Sequence, residues 1–229
     1  MLPVVIWISR ICRISLVLAA IIAAVSCTDF GAFDLIAQLQ GTRVPEQLAL
    51  IASSDTDIFN DAPATNYGVA TSMVLNHGTG GLGKRRLLVE FDLSTLPAGA
   101  TISAATLVLS KIGGATSEIH LDLHRITNPW IEVEATWNNR DSANAWLAAG
   151  ADIDPTLVAR VPVTDDGQYR WEGSPLTALV NGWHQGTVGN YGILIGCLDT
   201  GDADRFFATR THTDPSSRPR LEVSYIFPD

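Results

Sequence analysis

Ser117-Glu118-Ile119-His120-Leu121-Asp122-Leu123-His124 sets an aliphatic residue at alternate positions from Ile119 and polar ones between them. A two-residue period is that of a strand with one face on a core and the other toward solvent. Residues 220–227 repeat it, with Leu221, Val223, Tyr225 and Phe227 expected inward. Residues 85–92 do the same with Leu87, Val89 and Phe91, while 101–112 is apolar on both faces and reads as a central strand. Clusters of Gly, Pro, Asn and Asp separate these runs at 76–83, 96–100, 113–114, 165–167, 186–190, 199–204 and 214–218. Many short strands punctuated in this way predict an all-β fold, an antiparallel β-sandwich. One short helix interrupts it. Leu176, Leu179, Val180 and Trp183 fall at i, i+3, i+4 and i+7, with Ser174 as the expected cap and Pro175 in the first turn. No internal repeat marks a second domain, so the sandwich is placed at 48–229.

Composition agrees. The 229 residues are 46% hydrophobic and 17% charged, enough for a packed core and against wholesale disorder. The formal charge is −9, a poor match to nucleic acid despite thirteen arginines against two lysines. Residues 1–26 hold Arg10 and Arg13 and no acid, so without them 13 basic and 24 acidic side chains remain, a charge of −11.

That segment reads as a secretory signal. Two arginines precede the uncharged stretch 14–25, which ends in small residues. The stretch is shorter than the roughly 20 residues of a spanning helix. Ala24-Val25-Ser26-Cys27 resembles the bacterial lipobox, although Ala24 stands where that pattern prefers a branched aliphatic. The resemblance implies cleavage before Cys27, lipid on its sulfur, and a stable membrane hold through two or more acyl chains. Thr28 after the cysteine points by the same resemblance to the outer membrane. Ordinary cleavage, an unmodified Cys27 and secretion form the alternative. Residues 27–47 then serve as a tether, with a short amphipathic stretch at 33–39. Cys12 leaves with the signal, and Cys197, inside the apolar run 191–198, is expected to be a buried, inert thiol.

Several segments in order carry a family resemblance. They are Ser54-Asp55-Thr56-Asp57-Ile58 with Asn66-Tyr67-Gly68, and Arg86-Leu87-Leu88-Val89-Glu90-Phe91-Asp92-Leu93-Ser94. Trp130-Ile131-Glu132 with Thr136-Trp137-Asn138, and Gly182-Trp183 with Asn190-Tyr191-Gly192-Ile193, follow. Residues 206–210 and Arg218-Pro219-Arg220-Leu221-Glu222-Val223 close the series. Together they resemble the DNRLRE domain, also classed as carbohydrate-binding module family 96 and related to the disaggregatase repeat. The resemblance implies a jelly-roll β-sandwich, export, and binding of polysaccharide such as alginate.

Candidate site residues fall into four sets. Lys84, Arg85 and Arg86 open one strand, and Arg205, Arg210, Arg218 and Arg220 lie near the C-terminus. Guanidinium forks pair with carboxylates of the kind that line uronate polymers, so these could form a basic strip. Alternatively Arg86 and Arg220 pair with Glu90 and Glu222 two residues along. Trp146 and Trp171, in loop-like surroundings, are expected to offer flat faces to sugar rings, while Trp130, Trp137 and Trp183 are expected to pack. Asp55, Asp57 and Asn66 carry the chemistry of a calcium loop, although Asx-type bonding at strand ends suits them better. Glu118, His120, Asp122 and His124 share one strand face, which fits a solvated sheet better than a zinc site.

No Ser-His-Asp order, helical HExxH or phosphate loop is present. The expectation is a non-catalytic polysaccharide-binding module at the cell envelope, taking uronate-type glycans, with calcium as a candidate cofactor. A structural or protein-interaction spacer is the main rival, and a polysaccharide lyase or hydrolase the lesser one.

Overall fold

The computed structural model describes residues 44–78, 83–199 and 203–227. The signal, Cys27, the stretch 33–39 and nearly all of the tether lie outside them. Among the described residues are eleven strands and one helix. The strands are β1 (Glu46–Ile51), β2 (Ser54–Phe59), β3 (Ser72–Asn76), β4 (Arg85–Glu90), β5 (Thr101–Gly114) and β6 (Ile119–Arg125). After them come β7 (Ala159–Val163), β8 (Gly167–Glu172), helix α1 (Ser174–His184), β9 (Ile193–Cys197), β10 (Asp204–Ala208) and β11 (Arg220–Ile226). The first strand begins two residues ahead of position 48.

Every pairing is antiparallel, and the sheet curls on itself into a jelly-roll sandwich. One layer runs β1-β11-β5-β8 and the other β2-β4-β9-β6-β7. Strand β10 continues along the far end of β5 and pairs with β3, which meets β4 at Asn76 and Arg85. As its two apolar faces predict, β5 is central, bonded to β11 and β10 on one edge and β8 on the other.

The main core lies between the layers. Leu221, Val223, Leu107, Leu109 and Trp171 from the first meet Leu87, Val89, Ile193, Ile195, Leu121 and Leu123 from the second. Cys197 is fully buried, and burial pushes its thiol up to about 11. A second core was not foreseen. The connection at 126–158 folds over the outer face of the second layer, so Trp130, Ala135, Trp146 and Ala151 pack on Ile58, Leu88 and Leu194. Indole N–H groups pin this cover: Trp130 Nε1 donates to Tyr191 O (3.0 Å) and Trp146 Nε1 to Thr136 O (2.9 Å).

Asp122 and His124 are buried rather than solvated, Asp122 against β7 and His124 against the cover. Asp122 is gripped by Arg160 through two bonds (2.5 and 2.7 Å), and His124 Nδ1 faces Asp154 O (3.2 Å). Phe227 also departs from expectation. It is 46% exposed, one residue past the end of β11, where pairing with β5 has stopped.

Helix α1 buries Leu176, Val180 and Trp183 as its spacing predicts. Its N-cap, however, is Gly173 and Ser174 is the first helical residue, with no side-chain cap. The helix shields the β5 edge that β8 does not reach. Asn181 Oδ1 accepts the Ile102 N–H (3.0 Å), and Thr177 Oγ1 accepts that of Ala105 (3.2 Å). Two strand donors are thereby satisfied without another strand.

Candidate functional site

Strand register sets the outer face of the first layer. Ala49, Glu222, Thr106 and Glu172 form one row across β1, β11, β5 and β8, and Gln47, Ser224 and Ala104 form the next. Because successive side chains point to opposite faces, the neighbours of these residues in sequence go into the core. Ala49 and Thr106 in the first row and Ser224 and Ala104 in the second are short, and they leave an open trough of about 510 Å³ lined by Gln47, Ala49, Ala104, Thr106, Arg170, Glu222 and Ser224. Ligand clefts commonly hold roughly 300–1,000 Å³.

An ordered polar rim flanks the trough. Arg170 Nη2 donates to Glu222 Oε2 (2.6 Å), and Arg220 Nε donates to Glu222 Oε1 (2.8 Å). Arg220 is further fixed by Gln168 Oε1 (3.1 Å) and Ser216 O (3.3 Å). Hydrogen bonds from Arg170, and then from Arg220, hold the Glu222 carboxyl below its ordinary pKa despite partial desolvation. The Arg170 side chain is 46% exposed and lines the trough. A fork of N–H donors beside a fixed carboxylate can bind adjacent hydroxyls, donating to one and accepting from the next.

The proposed basic strip is dispersed by strand alternation. Arg85 and Arg86 are adjacent on β4 and point to opposite faces. Arg85 Nε donates to Asp57, and its guanidinium lies over Tyr67 (4.3 Å) and Phe59 (5.1 Å). Arg86 Nη1 donates to Gly150 O (2.5 Å) and the group lies over Trp137 (4.6 Å), so the expected pair with Glu90 is not made. Lys84 is 3.4 Å from Asp61. Arg205 is fully buried and donates to Ser117 O, Ser117 Oγ and Ala203 O (2.5, 2.9 and 3.1 Å). Arg210 grips Glu132 through Nε and Nη2 (2.7 and 2.5 Å), and Arg218 Nε donates to His212 O (2.9 Å). Only Arg220 of this set reaches the trough rim, in the pair with Glu222 that the sequence allowed.

Trp146 and Trp171 do not offer faces to a sugar. They are 5% and 0% exposed, in the second and main cores respectively. Trp171 Nε1 donates to Leu121 O across the core (3.1 Å). The loop-like surroundings of Trp171 in the sequence hide Arg170. The signal was there: Gln168, Arg170 and Glu172 alternate with Tyr169 and Trp171, a strand pattern with its polar face outward.

The calcium candidates are engaged by donors. Asp57 accepts the Val74 N–H (3.0 Å) as well as Arg85, and Asn66 Oδ1 accepts the Gly68 N–H (3.0 Å). Asn66 Nδ2 donates to Glu132 O (2.8 Å) and Ala135 O (2.7 Å), tying the cover to the loop after β2. A Cβ at position 68 would stand 2.1 Å from Glu132 O, which explains the glycine in Asn66-Tyr67-Gly68. These contacts match the Asx-type role, and no metal-ligating trio of His, Cys, Asp or Glu occurs among the described residues.

Asp55 has a testable electrostatic consequence. It is 3% exposed and accepts the Arg210 N–H (2.5 Å). Burial, reinforced by Glu132 and opposed by Arg210, pushes its carboxyl up to about 7. The folded form therefore binds this proton more tightly than the unfolded chain. The resulting stability is complete below the ordinary carboxylate range and is lost as pH rises through about 7. Asp55→Asn keeps an acceptor for Arg210 and removes the charge. Thermal melts should show it gaining several degrees in Tm over the parent at pH 8, with the gap closing toward pH 4. A gap that does not vary with pH contradicts this account of Asp55.

Residues 46–224 match carbohydrate-binding module family 96. No curated protein shows significant similarity to the chain.

Proposed function

Because the chain belongs to carbohydrate-binding module family 96, we propose that it is a non-catalytic module that holds a polysaccharide in the trough across β1, β11, β5 and β8. The observation that carries this reading is an open, polar cleft on a sheet face, floored by short side chains and edged by the Arg170–Glu222–Arg220 array. The strands cross the trough over three inter-strand gaps, about 14 Å, enough for a short run of sugar units. Its rim supplies donors and an acceptor for sugar hydroxyls, and Arg170 supplies a partner for a uronate carboxylate. We further propose display at the cell envelope, with Cys27 as the lipid-bearing residue. Support for that part comes from the signal pattern alone.

Affinity gels cast with alginate, polygalacturonate or a neutral glucan test the reading. The expected result is retardation by the uronate gels that weakens as salt rises, because charged contacts are screened. Free migration in every gel removes the reading. It would favour the spacer, which the internal pairing of Arg85 with Asp57 and Arg210 with Glu132 also suits.

A further inference from the structure

Most arginines of the described residues meet a carboxylate. Arg85, Arg125, Arg140, Arg160, Arg170, Arg210 and Arg220 all lie within ion-pair distance of one. Arg86 does not. It sits half-buried on the outer face of the second layer, in register with Ile58, at the margin of the second core. Of its five N–H groups, one on Nη1 finds a protein acceptor, the Gly150 carbonyl at 2.5 Å. Its Nε is buried without a partner, and so is the nearby Oδ1 of Asn60, whose N–H donates to Lys84 O (3.0 Å) one step beyond the β2–β4 pairing. Burial with no opposing carboxylate lowers the guanidinium to about 10, so it still carries its charge at neutral pH.

The surroundings are built around the guanidinium. Its centre lies 4.6 Å from the Trp137 ring, which fixes its plane and keeps water from one face. Gly150 has φ +91°, and a Cβ there would come within 2.7 Å of Arg86 Nη1 and 2.8 Å of Trp137 Cζ2. Only glycine leaves room for the guanidinium between the ring and the turn. Position and plane are thus set while the charge is left uncompensated. Partly desolvated, fixed guanidinium forks are the groups that bind planar or tetrahedral oxyanions best.

We infer that Arg86, laid on Trp137 and backed by Gly150, is a binding point for an oxyanion carried on a sugar, either a carboxylate or a sulfate ester. It lies on the opposite layer from the trough and contacts the glycan independently of it. The inference rests on the polysaccharide reading only for the source of the oxyanion.

The test follows the Arg86 Nε–Hε signal in ¹⁵N-labelled full chain, assigned by its loss in Arg86→Lys. Titrants are an oligogalacturonate, a sulfated galacto-oligosaccharide and the corresponding neutral galacto-oligosaccharide. A saturable shift with one or both acidic sugars, absent with the neutral one, supports the site, and the sugar that shifts it identifies the oxyanion. Arg86→Lys should weaken binding of that sugar at least several-fold with Tm changed little. The shift should persist in Arg170→Ala, so failure of the trough and failure of this site are separable. No shift, or the same shift with sodium acetate as with the acidic sugars, overturns the inference.

Discussion

Arg170→Ala is expected to weaken polysaccharide retention by roughly 10- to 100-fold while leaving the fold intact. Arg170 contributes charged donors at the trough rim, and removing a charged hydrogen bond costs about 1.5–3 kcal/mol. Its pair with Glu222 is 46% and 34% exposed, which makes it a solvent-screened contact worth at most about 1 kcal/mol to folding. Glu222 keeps Arg220 as a partner at 2.8 Å, so no carboxylate is stranded. Gel retardation and a thermal melt together check the claim. Loss of retention with Tm within about 2–4 °C of the parent is the expected pair of results. Unchanged retention would mean that the glycan does not touch this rim.

Trp171→Ala should do the reverse. One residue along β8, the indole is fully buried in the main core, and its N–H donates to Leu121 O at 3.1 Å on the facing layer. Truncation leaves a cavity and removes the indole bond across the core, at a cost of about 3–5 kcal/mol. That is a large share of the ~5–15 kcal/mol that hold a typical domain. Tm should fall by roughly 6–20 °C, measured by circular dichroism. A variant that melts like the parent but no longer retains polysaccharide would instead place Trp171 in the ligand site.

The contrast between these neighbours shows what the sequence could convey. Alternation located the strands with the strongest pattern, and β6 and β11 appear where Ile119–Leu123 and Leu221–Tyr225 predict them. The same rule would have set Arg170 outward and Trp171 inward. The short polar run Gly167–Glu172 resembles a loop, and only its pairing with β5 makes it a strand. Lys84, Arg85, Arg86, Arg205 and Arg210 share a sign of charge, which composition reveals. Which acid Lys84, Arg85 and Arg210 meet depends on contacts up to 78 positions away, as between Arg210 and Glu132, while Arg86 and Arg205 donate to carbonyls instead. The cover at 126–158 was illegible for a related reason. Its turns carry no period, and its tryptophans reveal their role only against Ile58, Leu88 and Leu194. Family resemblance, carried by several short segments in register, brought the fold and the carbohydrate-binding class into view before any of this.

Backbone amide mapping by NMR, with an oligouronate titrated into the full chain, tests the trough as the glycan site most directly. Saturable shifts concentrated at Gln47, Ala49, Ala104, Thr106, Arg170, Glu222 and Ser224 are the predicted result. Shifts confined to other faces, or none at concentrations where the polymer is retained, would contradict it.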